Sequence, residues 1–301
     1  MKNMFHLAVV GLDTSHAVEF PKLMQDPAVP EPERIAGLKV SRCLRFETPF
    51  QNKAGLDKRQ AYLESIGVKV TEDFSETVAD CDGIMIEIND PALHLEYFEK
   101  CAPLGKPIFL DKPFADTFAN SLKIDELAKK HSIRYFTASA LRFNAELEEA
   151  LVGTSRVTTA TVSGAMGKAA AGSSLVWYGC HSFDMLERIM GRGAVMVSTV
   201  TDRKGHVCVV TYADGRRGIV ELSTDVWIYG GKFVDAATGT MKNFTYSGKI
   251  PFYRSLLDNI RGFFLEGKEG VAIPDCLEVI SLLDAADRSA RSGKPEAVYS
   301  A

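Results

Sequence analysis

Apolar residues in the first half of the chain fall into short, nearly continuous blocks separated by stretches of helical spacing. The blocks Phe5–Val10, Leu38–Phe46, Val68–Thr71, Asp82–Ile88, Pro107–Leu110 and Arg134–Ala138 read as strands. Between them, Ala17–Gln25, Lys58–Ile66, Leu93–Pro103 and Phe118–Lys130 repeat apolar residues at helical intervals. Gly67 and Gly105 act as stops, and Pro27, Pro30 and Pro32 mark a loop. Strands and helices that alternate in this way predict a doubly wound parallel sheet covered by helices on both faces.

The second half changes character. Thr158–Ser163, Ala194–Thr201, His206–Ala213, Gly218–Thr224 and Gly231–Ala236 read as strands, and Asp214-Gly215 between apolar alternations predicts a hairpin. Helical patterns cover Phe183–Met190, Pro251–Phe264 and Asp275–Ser289. An open, mostly antiparallel sheet with helices on one face is expected. The fold class is therefore α/β: a doubly wound domain over residues 1–138, then an α+β domain over residues 139–301, with the junction near Ala138–Asn144.

Composition narrows the function classes. With 46% hydrophobic and 25% charged residues the 301-residue chain buries an ordinary core, and a net charge of −4 offers no surface for nucleic acid or an anionic membrane. The apolar stretch Met4–Leu12 is too short to span a bilayer and lacks a signal peptide's charged start and cleavage site, so cytoplasm is the expected compartment. Six scattered cysteines without a CxxC pair suggest buried thiols. The histidines and acids show no metal-ligand spacing, so no metal is expected.

Two regions carry candidate chemistry. The first is the turn Gly11-Leu12-Asp13-Thr14-Ser15-His16 between the first strand and first helix. It occupies the place of the dinucleotide fingerprint G-x-G-x-x-G, whose glycines serve the turn, the approach to pyrophosphate and helix–strand packing. Only Gly11 is present; Asp13 and His16 stand at the other two positions. A carboxylate ~5 Å from a phosphate charge costs about 3 kcal/mol at an effective dielectric near 20. Asp13, Thr14 and Ser15 suit helix capping equally well, while the helix amino terminus still favours an anion. Near the end of the second strand, Glu47 suits a ribose diol and Arg42 or Arg45 a 2′-phosphate, with solvated charges as the alternative.

The second region pairs Phe109-Leu110-Asp111-Lys112-Pro113, at a strand's end, with Gly179-Cys180-His181-Ser182-Phe183-Asp184 in the second domain. An imidazole suits the proton of a hydroxyl group, and an ammonium stabilises a developing alkoxide. His181 and Asp184 lie three apart and share a helix face, so Asp184 is a candidate to orient the ring. Glu87, inside an apolar strand, is a further site candidate, as a buried paired acid or a cleft residue. His6, His131 and His206 carry no expected chemistry.

In these motifs the chain resembles the glucose–fructose oxidoreductase, inositol dehydrogenase and rhizopine-catabolism (Gfo/Idh/MocA) group of nicotinamide-dependent dehydrogenases. The resemblance rests on His94, Gly105-Lys106-Pro107, Asp111-Lys112-Pro113, Arg142-Phe143-Asn144, the Gly179–Asp184 cluster and Ile273-Pro274, and it extends over both domains. It implies a Rossmann domain binding NAD or NADP and hydride transfer on a sugar, cyclitol or related hydroxy compound. Lys112, His181 and Asp184 are then the catalytic candidates. The cofactor candidates are Gly11, Asp13, Thr14, Ser15, His16, Glu47, Asn89, His94, Asp111 and Lys112, with His94 structural or cleft-lining. The substrate candidates are Lys112, Arg142, Trp177, Cys180, His181 and Asp184. Trp177 stands where many members of the group carry an aspartate.

Asp13 and Trp177 leave room for a cofactor-free ligand-binding or regulatory relative, and a lyase or hydrolase is a further alternative. The expected partner is a small-molecule substrate. The second sheet's free face suggests a homodimer or homotetramer.

Overall fold

A computed structural model describes residues 4–299 as two sheets with a cleft between them. The first sheet contains β1 (Phe5–Val10), β2 (Leu38–Leu44), β3 (Lys69–Thr71), β4 (Gly83–Ile86), β5 (Ile108–Leu110) and β6 (Tyr135–Thr137). All are parallel, in the order β3-β2-β1-β4-β5-β6. β1, β4, β5 and β6 are buried on both faces over most of their length, which is why their residues form unbroken apolar runs. The helices are α1 (His16–Gln25), α2 (Lys53–Ser65), α3 (Phe74–Val78), α4 (His94–Cys101) and α5 (Phe118–His131). The strand order reverses between β1 and β4, so loops following these strands diverge and open a crevice at their carboxyl ends.

The short helix α6 (Ala145–Leu151) leads into the second sheet. Its strands are β7 (Val157–Ala165), β8 (Ala194–Asp202), β9 (Gly205–Tyr212), β10 (Arg217–Ser223), β11 (Gly230–Asp235), β12 (Met241–Thr245) and β13 (Glu296–Ala297), in the order β12-β11-β7-β10-β9-β8-β13. Only β7 and β10 pair in parallel; the other neighbours are antiparallel. The β9–β10 hairpin closes at Asp214-Gly215, where Gly215 takes φ +85° and donates its amide to the Tyr212 carbonyl. One sheet face packs on α7 (Ser174–Met190) and α9 (Ile273–Ser292).

Helix α8 (Phe252–Glu266) returns to the first sheet. Phe263 packs against Phe136, Phe264 packs against Phe5, and the Arg261 side chain donates to the Ala36 carbonyl.

Several boundaries differ from the sequence expectation. α7 begins at Ser174 rather than Phe183, and α2 begins at Lys53 rather than Lys58. β4 ends at Ile86, which puts Glu87 just beyond the strand. Strands β12 and β13 and helices α3 and α6 were not anticipated; each is short, with too few apolar positions to reveal a period.

Candidate active site

The turn after β1 is built around Gly11. Its φ is +108°, and a Cβ there would lie 2.4 Å from the Glu87 carbonyl oxygen, so any side chain would collide with the chain leaving β4. Two residues on, Asp13 is 1% exposed. Its carboxylate accepts from the Asn89 amide at 2.9 Å and from the Thr48 hydroxyl at 2.7 Å. Burial pushes its pKa above the usual carboxylate value, opposed by these hydrogen bonds. Arg59 lies close and donates to the Leu12 carbonyl at 2.8 Å.

Asp13 thus ties the loops after β2 and β4 together. It does not cap α1. Ser15 holds the cap position but its hydroxyl makes no capping bond, and Thr14 accepts only a 3.3 Å bond from the His16 amide. Apart from that weak bond, the amino terminus of α1 has no side-chain cap and faces the cleft.

His16 fills the place of the third fingerprint glycine. It is buried, stacked on Phe20, with its Nδ1 2.8 Å from Asp111 Oδ1. Asp111 itself is fully buried, also accepts from the Lys112 amide, and stands 3.9 Å from Lys112 Nζ. Burial works against the Lys112 charge, but Asp111 together with the other acidic groups around it outweighs burial and keeps the ammonium above its ordinary pKa.

Across the cleft, α7 presents Trp177, Tyr178 and His181. The His181 Nδ1 lies 2.7 Å from the Ser139 hydroxyl. The Ser139 amide in turn donates to Asp184 at 2.5 Å. Burial, reinforced by the Lys112 charge, holds His181 well below the ordinary imidazole pKa and hence neutral. Trp177 reaches over the cleft and donates its indole N–H to Asn89 Oδ1 at 2.8 Å, with Phe50 beside it at 5.4 Å. The cleft measures about 420 Å³. Its walls unite Lys112 and His181 with Asn89, Trp177, Tyr229 and Tyr253.

Other sequence candidates lie elsewhere. Asp184 does not touch His181: it binds Arg142 at 2.8 Å and acts on the imidazole only through Ser139. Arg142 is buried between Asp184 and Glu187, bonded to Glu187 at 2.5 Å, and so is committed to an internal ion pair rather than to substrate. Cys180 points inward, its thiol bonded to the Trp177 carbonyl and pushed up to about 12 by burial. His94 is fully buried with both ring nitrogens against main-chain carbonyls, those of Ile88 and Phe114, which makes it a loop strut. Glu47 is exposed and is not among the cleft-lining residues. Arg42 and Arg45 are paired with Asp80 and Asp57.

The structure brings together Asp13, Thr14, Ser15, His16, Asn89, Lys112, Trp177 and His181. Ser139, Thr48, Arg59, Tyr229 and Tyr253 also contribute to the site and are not among the candidates drawn from the sequence. Among these, only Ser139 had a local signal, its position three residues before Arg142 of the Arg142-Phe143-Asn144 segment.

Comparisons with known proteins agree with the two-sheet fold. Residues 52–139 match the family model described as "Oxidoreductase family, NAD-binding Rossmann fold" (GFO_IDH_MocA); the Gly11–His16 turn precedes the matched segment. No curated protein sequence matches the chain. Among solved structures, myo-inositol 2-dehydrogenase from Lactobacillus plantarum superposes with a TM-score of 0.79 at 13% identity, covering 99% of this chain and 100% of the other. GenD2 from gentamicin A biosynthesis, in complex with NAD, gives 0.79 at 14% identity, covering 100% and 98%. An oxidoreductase from Agrobacterium radiobacter in complex with NAD+, L-tartaric acid and magnesium gives 0.77 at 14%, covering 98% and 99%. At such identities the likeness establishes a shared two-domain fold.

Proposed function

We propose, from the match of residues 52–139 to the Gfo/Idh/MocA oxidoreductase family model, that this chain is a member of that family and an NAD(P)-dependent dehydrogenase of a sugar, cyclitol or related hydroxy compound. The observation that carries the proposal is the meeting of Lys112 and His181 from different domains in one cleft, at the carboxyl edge of the parallel sheet.

The residues present suit a dinucleotide. Gly11, Thr14 and Ser15 with the uncapped start of α1 would hold its pyrophosphate, and Asn89 and Lys112 its nicotinamide end. The buried Asp13 carboxylate is spent on Asn89 and Thr48, so the repulsion expected from its position is turned aside. When bound, the cofactor supplies a hydride acceptor.

The chain's own residues do the proton chemistry. With Nδ1–H donated to Ser139, His181 keeps a lone pair on Nε2 to accept the substrate's hydroxyl proton. Lys112 remains an ammonium and stabilises the alkoxide as it forms. Trp177, Tyr178 and Tyr229 offer apolar faces to a substrate ring.

Calorimetric titration with NADH and NADPH tests the proposal. Binding at the micromolar level to one of them is expected, followed by turnover with a sugar or cyclitol. Well-folded protein that binds neither nucleotide would instead be a cofactor-free ligand-binding relative.

Two further parts of this proposal concern setting. Six free, buried thiols suit a reducing compartment, and among the described residues no helix is long and apolar enough to cross a membrane; we assign the chain to the cytoplasm. The outer face of the second sheet, with Met196, Val200 and Val207 exposed, suits a second copy of the chain.

A further inference from the structure

Beneath Lys112 lies a group of ionisable side chains that the proposed reaction does not use directly. His16 Nδ1 and one carboxylate oxygen each from Glu87 and Asp111 lie within 4.8 Å of one another. Glu87 and Asp111 are both 0% exposed. Asp111 Oδ1 is satisfied by His16 and by the Lys112 amide. Both oxygens of Glu87, and Oδ2 of Asp111, have no hydrogen-bond partner. His16 Nδ1 is 3.8 Å from Glu87, too far for a hydrogen bond.

Two adjacent buried carboxylates with three unsatisfied oxygens cannot both remain ionised without a donor or a cation. Lys112 supplies one positive charge, 3.9 Å from Asp111 Oδ2. Two carboxylates and one ammonium leave one negative charge over, and a single proton cancels it. On His16 that proton would leave Glu87 bare. On Glu87 it supplies the missing donor and points it at the missing acceptor, Asp111.

We propose that Glu87 and Asp111 share one buried proton, carried by Glu87 and donated to Asp111, and that this pair with His16 forms a proton-loaded base under Lys112. The other titratable groups around it are consistent with this count. Cys43 from β2 and Cys180 from α7 are thiols kept neutral by burial, Tyr253 from α8 has its pKa raised, and His181 is held neutral. Burial and the Asp111 charge likewise raise Glu87 well above the ordinary glutamate pKa, whereas the Lys112 charge and the hydrogen bonds from the His16 ring and the Lys112 amide hold Asp111 low against its burial.

Asp111 then faces Lys112 as the one net negative charge, fixing Lys112 as an ammonium at neutral pH. Glu87, Asp111 and His16 are positioning residues for that charge. Their consequence for catalysis rests on the dehydrogenase function proposed above; the proton itself does not.

Infrared spectroscopy of the full chain without nucleotide reads the proton directly. At pH 7 a protonated-carboxyl carbonyl band should be present and should vanish in Glu87→Gln. Glu187→Gln serves as the reference, because Glu187 is also pushed up, to about 7. Side-chain nitrogen NMR of Lys112 should show no change in its pKa in Glu87→Gln and a fall of ~1–3 units in Asp111→Asn. If Glu87→Gln does not fold, the wild-type band must persist as pH rises until the protein unfolds.

Three results would overturn the proposal: no band attributable to Glu87, a doubly protonated His16 ring at pH 7, or one equivalent of metal ion released on acid unfolding. All these readouts are independent of nucleotide binding, so failure here and failure of the dehydrogenase function are separable.

Discussion

Asp13 occupies a position where the fingerprint has glycine, and its sequence context could not reveal which way its carboxylate turns. The partners that decide this, Thr48 and Asn89, are 35 and 76 positions away. Lys112 and His181 were legible because each sits in a recognisable local cluster, and the structure places both on the cleft. Ser139 was not, since its tie to His181 spans 42 positions. His181→Ala is expected to lower turnover by roughly 10²–10⁴-fold and Lys112→Ala by ~10²–10³-fold, with circular dichroism unchanged. Steady-state kinetics on the substrate found by screening checks both. In the proposed reaction the base is the neutral imidazole, which burial holds well below the ordinary value of 6.5. Activity in wild type should therefore persist as pH falls through 6.5, and an acid limb centred at 6.5 would contradict the assignment.

Helix α7 shows what an element conceals in its sequence. Its amino-terminal half carries Trp177, Tyr178 and Gly179, which blur the helical period, while Asp184 and Glu187 are buried acids at positions where apolar residues are expected. Arg142, from the segment joining the domains, explains those acids by pairing with both. Arg142→Met should cost about 3–5 kcal/mol in urea unfolding, because it strands two buried carboxyls. Burial pushes the Glu187 carboxyl up to about 7 in the folded chain, against an ordinary value of 4.5. The folded state then binds more protons than the unfolded one between those values, so stability falls as pH rises through that window. Glu187→Gln should remove that decline, on the order of 3 kcal/mol, in thermal or denaturant unfolding followed from pH 4.5 to 7. The parallel strands, by contrast, were legible because burial on both faces left their sequences almost wholly apolar.

At the scale of the molecule, the alternation of strands and helices foretold two unlike layers, but not that α8 would cross back to the first sheet. That return depends on aromatic contacts such as Phe136–Phe263, made between residues more than a hundred positions apart. The second sheet's uncovered face presents Val200 (69% exposed) and Val207 (39% exposed). If two copies join there, Val200→Lys combined with Val207→Lys should halve the mass seen by analytical ultracentrifugation while leaving nucleotide affinity intact. An unchanged mass would place any assembly elsewhere.

The bond from Trp177 to Asn89 links the two domains across the opening of the cleft. Trp177 and Trp227 are the only tryptophans in the sequence, and both line that opening. All indole fluorescence of this protein therefore originates at one place, one emitter half-buried and tethered to the far wall, the other facing water. The chain thus carries a built-in optical gauge of its own cleft, so arrival of a ligand or parting of the walls can be followed in real time without attaching a dye.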